Sequence, residues 1–145
     1  VGLLSHATGL YDDLTVTENV RFWARASQRR DSEGGHDVEG ALVAAGVEPR
    51  VRDIALARLS TGQRRRASLA AFLVRRPQVW LLDEPHAGLD AEGRDLLDGL
   101  IRNAAAAGTT VLVASHELER SKQLATRSVL ISGGSADPQE ASRVA

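Results

Sequence analysis

The sequence contains no cysteine. Without thiols there is no disulfide framework and no thiolate metal site, a usage that fits a cytosolic chain. Methionine is absent too, and the chain opens on Val1-Gly2-Leu3-Leu4. That start has no basic flank and no cleavage site, so residues 1–4 are not expected to belong to a secretory signal peptide. It is expected to be the middle of something longer. No apolar run approaches the roughly 20 residues of a membrane-spanning helix, so any role at a membrane is expected to run through a partner chain. Neither sign of charge dominates: 18 basic and 19 acidic side chains leave a formal charge of -1. A protein whose main task is clamping nucleic acid needs an overall positive field, and this chain has none. Lys122 is the single lysine, and the other basic side chains are arginine. No Gly-x-x-x-x-Gly-Lys-Ser/Thr occurs either, so the loop type that cradles nucleotide phosphates is missing from these residues.

What is present reads as alternating strands and helices over 145 residues, a length for which one domain is the default. Residues 1–4 predict a short buried strand and 5–14 a loop. Thr15 and Glu18 make a capping box, with Val16, Val20, Trp23 and Ala24 on one face of the helix that follows. Residues 29–35 are polar with two glycines and predict a loop. Residues 38–45 predict a helix, closed by Gly46, and 49–59 an irregular segment. Ser60 and Gln63 form a second capping box. Its helix is expected to run to Arg75 with Leu69, Phe72 and Leu73 inward, and Pro77 ends it.

Residues 79–82 form a continuous apolar run, the pattern of a parallel strand covered on both faces. Asp90 is expected to cap a helix carrying Leu96, Leu97, Leu100 and Ile101, which stops near Gly108. Residues 109–114 predict a third buried strand and 129–131 a fourth. Gly133-Gly134 turns the chain, and 135–145 is expected to be an unstructured tail. The alternation in the second half argues for a parallel α/β sheet, with a helical subdomain inserted between strands.

Three constellations carry chemistry. Asp83-Glu84 ends the apolar strand. Hydrolysis of a phosphoanhydride needs Mg²⁺ to neutralise charge and a group that orients water. Asp83 is placed to hold the metal's water shell, and Glu84 to polarise the attacking water. Ser60, Thr61, Gly62 and Gln63 open a helix whose free N–H groups and partial positive charge suit a phosphate. His116 follows a second apolar strand, at the edge where ligands bind in open α/β sheets. An imidazole there can donate to a phosphate as charge develops. His36 and His86 read as surface residues. Arg64, Arg65 and Arg66 read as a solvated or subunit-contact helix face.

In this order, Leu59-Ser60-Thr61-Gly62-Gln63, then Leu81-Leu82-Asp83-Glu84-Pro85 with Ala87-Gly88-Leu89-Asp90, then Ser115-His116, the chain resembles the ATP-binding subunits of ABC transporters. The family pattern is usually Leu-Ser-Gly-Gly-Gln, so Thr61 stands at the first glycine. His6 falls where the family carries a glutamine that reaches for Mg²⁺ and the attacking water. His6-Ala7-x-Gly9-Leu10 and Leu14-Thr15-x-x-Glu18-Asn19-x-x-Phe22 look like the haem-exporter ATPases of cytochrome c biogenesis.

The resemblance implies a P-loop NTPase core, a parallel α/β sheet with an inserted helical subdomain, here without its P-loop portion. Residues 14–77 would be the helical subdomain, 78–134 part of the catalytic core and 135–145 a tail. It implies ATP and Mg²⁺, a second ATPase subunit, an integral membrane partner and a place on the cytoplasmic face of the membrane. Ser60, Gly62 and Gln63 would act on the partner's ATP, and Asp83, Glu84 and His116 on the subunit's own. The loop after the catalytic carboxylate, including Asp90, would border the same nucleotide. The strand leading into the P-loop would lie beside 109–114, which would here present an unpaired apolar edge. The 145 residues alone are expected not to hydrolyse ATP. A non-transport ABC ATPase of the translation or DNA-repair type, or an inert interaction module, is the alternative reading.

Overall fold

Strand β1 (Gly2–Leu4), strand β2 (Val79–Asp83) and strand β3 (Thr110–Ala114) form one parallel sheet in the order β1-β2-β3 in the computed structural model, which describes residues 1–5, 9–27 and 37–139. The expected sites or loops at His6, His36 and 29–35 lie outside the described residues. Gly2, Trp80 and Val111 stand in register, as do Leu3, Leu81 and Leu112, and then Leu4, Leu82 and Val113. In a parallel sheet each such row shares a face.

The long segment between β1 and β2 is helical. Helix α1 (Val16–Ala26) starts at the Thr15/Glu18 capping box and buries Val16, Val20 and Ala24. Trp23 is half-buried, and its indole N–H donates to the Gly9 carbonyl at 3.1 Å. Helix α2 (Val38–Ala44) is capped by the Asp37 carboxylate, and Gly46 at φ 66 closes it in the left-handed conformation. Residues 49–59 contain two 3-10 turns, Pro49–Val51 and Leu56–Arg58.

Helix α3 (Thr61–Leu73) opens on the Ser60/Gln63 capping box. It ends earlier than Arg75, because Arg76 takes φ 47 before Pro77 and its N–H turns back to the Leu73 carbonyl at 2.9 Å. A residue preceding proline is disfavoured in the right-handed helical region. Phe72 and Val74 are buried while Leu73 is half-buried, so the inward face is rotated slightly from the expected one. Phe72 meets Trp80 of β2 edge to face at 5.1 Å between ring centres. A side chain at Gly2 would come within 2.8 Å of the Phe72 ring, so only glycine lets β1 approach α3 this closely.

Helix α4 (Ala91–Ala106) is capped by Asp90 and packs on β3. Leu97 and Ile101 are buried, and Leu96 and Leu100 are half-buried. The expectation that both sheet faces are covered does not hold among the described residues. Leu3 is 57% exposed and Leu112 64%, and both lie in the row through half-buried Leu81. One face is thus packed and the other carries an open apolar row. Strand β3 is at the sheet edge, with Thr110, Leu112 and Ala114 exposed and Val111 and Val113 half-buried, contrary to the buried strand expected. Among the described residues β3 pairs with β2 alone, so its other edge is unpaired there, as the family resemblance implies.

Residues 115–145 form a second unit, with 1–114 the first. In the second unit are helix α5 (Leu118–Leu124), strand β4 (Ser128–Ser132) and strand β5 (Ser135–Gln139). β4 pairs antiparallel with β5 across Gly133-Gly134, both at positive φ, so the fourth strand is half of a hairpin. Residues 135–139, expected in an unstructured tail, are its second strand. Two consecutive left-handed residues match the twist of paired strands, and that turn selects the pairing.

Candidate functional site

Asp83 is the last residue of β2 and is exposed at the C-terminal end of the sheet. The chain turns sharply at once. Glu84 sits at φ 43, a left-handed conformation that costs a non-glycine residue about 1–2 kcal/mol. Its main chain is held on both sides. The Glu84 N–H donates to the Ala114 carbonyl at the end of β3 at 2.9 Å, and its carbonyl accepts from the Ala87 N–H at 3.1 Å. Pro85 and His86 follow, both buried.

His86 is 2% exposed, contrary to the surface position expected of it. Its Nε2 lies 2.7 Å from Oδ1 of Asp98 in α4. This pair anchors the segment after Glu84 to α4, through a residue 12 positions further along the chain. The segment then reaches Asp90, which accepts from the Gly93 N–H at 2.8 Å and from Nη2 of Arg66 at 3.1 Å. The backbone hydrogen bond from Gly93, and then that from Arg66, hold the Asp90 carboxyl below its ordinary range.

The N-terminus of α3 lies against this segment. A side chain at Gly88, itself at φ 77, would come within 3.2 Å of the Thr61 methyl, and one at Gly62 within 3.3 Å of the Gly88 carbonyl. Ser60 and Thr61 are exposed, and Gly62 and Gln63 are half-buried. The Ser60 hydroxyl accepts from the Gln63 N–H at 3.3 Å, and the Gln63 side chain accepts from the Ser60 N–H at 3.0 Å. A hydroxyl that accepts one hydrogen bond keeps its own proton to donate.

The arginine run is not a uniformly solvated face, because Arg65 is buried and Arg64 and Arg66 are half-buried. Arg64 pairs with Asp12. Arg66 donates to the Gly46 carbonyl and pairs with Asp90. Arg65 is 6% exposed and reaches three main-chain carbonyls. Burial holds its guanidinium below the ordinary range, opposed by the nearby charge of Asp83. Sequence reasoning does not find Arg65, nor Asn19. Asn19 is fully buried, accepts from the Tyr11 N–H and donates to the Tyr11, Leu14 and Thr15 carbonyls, fixing the loop before α1. An asparagine on the inward stripe of an amphipathic helix is the available signal, because a buried amide needs partners.

His116 lies two residues beyond β3, in the second unit, and is exposed there. The Ser115 hydroxyl accepts from the Glu117 N–H at 3.1 Å, and the His116 carbonyl from the Leu118 N–H at 3.0 Å. In the first unit Thr61 and Gly62 thus lie against Gly88, within the segment that runs from the Asp83-Glu84 turn to Asp90. A cavity of about 350 Å³ lined by Thr17, Arg21, Leu42 and Arg52 lies at α1 and α2 and contains no expected site residue. No helix among the described residues is long and apolar enough to cross a membrane.

Residues 1–87 match the ABC transporter family. The chain is 39% identical over 113 residues to the cytochrome c biogenesis ATP-binding export protein CcmA of Alcanivorax borkumensis, covering 78% of this chain and 49% of that one. Similarity to the protein of the same name from Bradyrhizobium diazoefficiens is 40% over 115 residues, covering 78% and 54%. The chain therefore spans about half the length of these relatives. Among solved structures, the fold matches the dimeric post-hydrolysis state of the ATP-binding cassette MJ0796 bound to ADP and Pi. The TM-score is 0.84 at 23% identity, over 97% of this chain and 62% of that one. A further dimeric structure of MJ0796, described as a bacterial ABC transporter cassette, matches at TM-score 0.85 and 23% identity, over 98% and 63%. A parallel sheet with this order of motifs, carried by residues that match the family over more than half their number, leads to one assignment: the chain belongs to the ABC transporter family.

Proposed function

We propose that this chain is the signature-helix and Asp-Glu part of an ATP-hydrolysing subunit that drives a membrane transporter. The observation that carries the reading is the turn at Asp83-Glu84. It places two successive carboxylate residues at the C-terminal end of a parallel strand, where ligands bind in open α/β sheets, and the segment that follows packs at Gly88 on the N-terminus of α3. Glu84 acts as the group that orients and polarises the attacking water. His116 donates to the developing charge on the phosphate. Ser60, Gly62 and Gln63 present a hydroxyl and helix N–H groups to a nucleotide held by a second copy. That the matching solved cassettes are dimeric supports a second copy.

A site for Mg²⁺ need not be an all-protein cage, and no cluster of three metal-binding side chains exists among the described residues. One exposed carboxylate at Asp83 fits this ion, which binds through one or two carboxylates plus substrate phosphates. When bound, Mg²⁺ neutralises charge on the phosphates. His6, by its place in the sequence, is the second group proposed to face the ion. The subunit sits at the cytoplasmic face of the membrane, against an integral membrane partner. Similarity to cytochrome c biogenesis export proteins supports a haem-type cargo.

The test uses the chain joined to a segment that carries the P-loop. Glu84→Gln should lower steady-state phosphate release by about 10²–10⁴-fold, the usual contribution of a general base. ATP binding should persist, and an ATP-trapped dimer should appear on size-exclusion chromatography. Turnover near the parent rate would mean that Glu84 does not activate the water.

A further inference from the structure

Glu84 occupies a backbone conformation that its own side chain does not favour. Such a conformation persists only where the surroundings over-determine it. Two groups from outside the turn hold it: the Ala114 carbonyl accepts from the Glu84 N–H at 2.9 Å, and the Arg65 side chain reaches the carbonyls. Its Nη2 donates to the Glu84 carbonyl at 3.1 Å and its Nε approaches the Pro85 carbonyl at 3.4 Å. Its Nη1 donates to the Ser5 carbonyl just past β1 at 2.6 Å. One buried guanidinium thus joins the ends of two neighbouring strands and belongs to the first turns of α3. A guanidinium presents its five donors in a rigid planar fork, so three carbonyls can be met at once. A lysine ammonium is a compact point charge on a flexible stem and cannot span the same set.

We infer that Arg65 is the positioning residue for Glu84: it fixes the left-handed Glu84 peptide against the end of β1, and so aims the Glu84 carboxylate for hydrolysis. This inference rests on the proposed role of Glu84 as the water-activating carboxylate. The Arg65 donors reach the Ser5, Glu84 and Pro85 carbonyls, so the residue acts through the main chain. It also means that the helix whose first residues face a partner's nucleotide holds the carboxylate of its own subunit's site.

The test is made in the chain completed by its P-loop segment, with Arg65→Met (similar length, no donors), Arg65→Lys and Glu84→Gln side by side. Arg65→Met should lower kcat about 10–100-fold, the scale of a misplacement near 1 Å. KM for ATP should stay within about threefold, because uniform binding is untouched. Arg65→Lys should fall between Arg65→Met and the parent. In the Glu84→Gln background, Arg65→Met should still give the ATP-trapped dimer, since that readout requires the fold and nucleotide binding but not an aimed carboxylate.

Parent-like kcat in folded Arg65→Met, beside an inactive Glu84→Gln, overturns the inference and leaves the role of Glu84 standing. Joint loss of nucleotide affinity and dimer trapping in both Arg65 variants shows a structural role only and also overturns it. Parent-like kcat in Glu84→Gln removes the role of Glu84 and this inference with it. Should Arg65→Met not fold, Arg65→Lys decides: reduced kcat with KM kept supports the inference, and parent kcat overturns it.

Discussion

At the scale of single residues, three adjacent arginines meet three different fates. Arg64 pairs with Asp12, Arg65 is buried against carbonyls, and Arg66 spans Gly46 and Asp90. Nothing in the letters Arg-Arg-Arg separates them, because burial is decided by what packs across from the helix. His86 is illegible for the same reason. A lone histidine has no pattern, and its partner Asp98 lies 12 residues away on another element. Glu18 and Gln63 are legible, since each capping box closes within three residues.

Asp90 yields a prediction at this scale. Its carboxyl is held below its ordinary range by the Gly93 amide first and by Arg66 second. A depressed folded-state value contributes stability that is present above the unfolded value, about 3.9, and is lost as pH falls through the folded one. Asp90→Asn keeps a capping side chain and removes the charge. In the chain completed by its P-loop segment, denaturant unfolding should show the parent more stable than the variant at neutral pH. The gap should close below about pH 4, as the parent's carboxyl protonates. A gap independent of pH would contradict this cause.

At the scale of elements, α1, α2, α3 and α4 follow from caps and periodicity. The strands are less legible. β5 escapes the sequence because Ser135-Ala136-Asp137-Pro138-Gln139 has little strand character, and it forms because the turn before it sets up a hairpin. The apolar run of β2 reads as a strand covered on both faces. The run is real, yet the row Leu3, Leu81, Leu112 is open among the described residues. An apolar run reports that a strand wants burial on both sides, not which residues supply it.

The edge strand carries the prediction here. Among the described residues β3 pairs with β2 alone, and its sequence of Thr110-Val111-Leu112-Val113-Ala114 holds no Lys or Pro to blunt the other edge. In the 145-residue chain expressed alone, β3 amides should exchange with deuterium well before those of α3, and the protein should be poorly soluble. Adding the segment that carries the P-loop should protect them. Strong protection at Val111 to Val113 in the chain alone, with a sharp cooperative melt, would show that the edge is not a weakness.

At the scale of the whole molecule, the order of motifs matters more than any one of them. A Ser-x-Gly-Gln cap, a strand end in Asp-Glu and a histidine after a strand are each common alone. In sequence they resemble one family, and residues 1–87 match it. The division of the chain into units 1–114 and 115–145 is not legible, because the break follows β3 without a Gly/Pro-rich linker.

The central claim is that one chain serves two nucleotides, with Glu84 acting on its own and Ser60 on its partner's. The most direct measurement is phosphate release by purified mixed dimers of the P-loop-completed chain. Pairing a Ser60→Arg subunit with a Glu84→Gln subunit leaves one site with both groups intact. Pairing the double variant with a parent subunit leaves none. Measurable turnover is predicted in the first mixed dimer and none above background in the second. Turnover in the second and not the first would contradict the claim, because Ser60 and Glu84 would then serve the same nucleotide from the same chain.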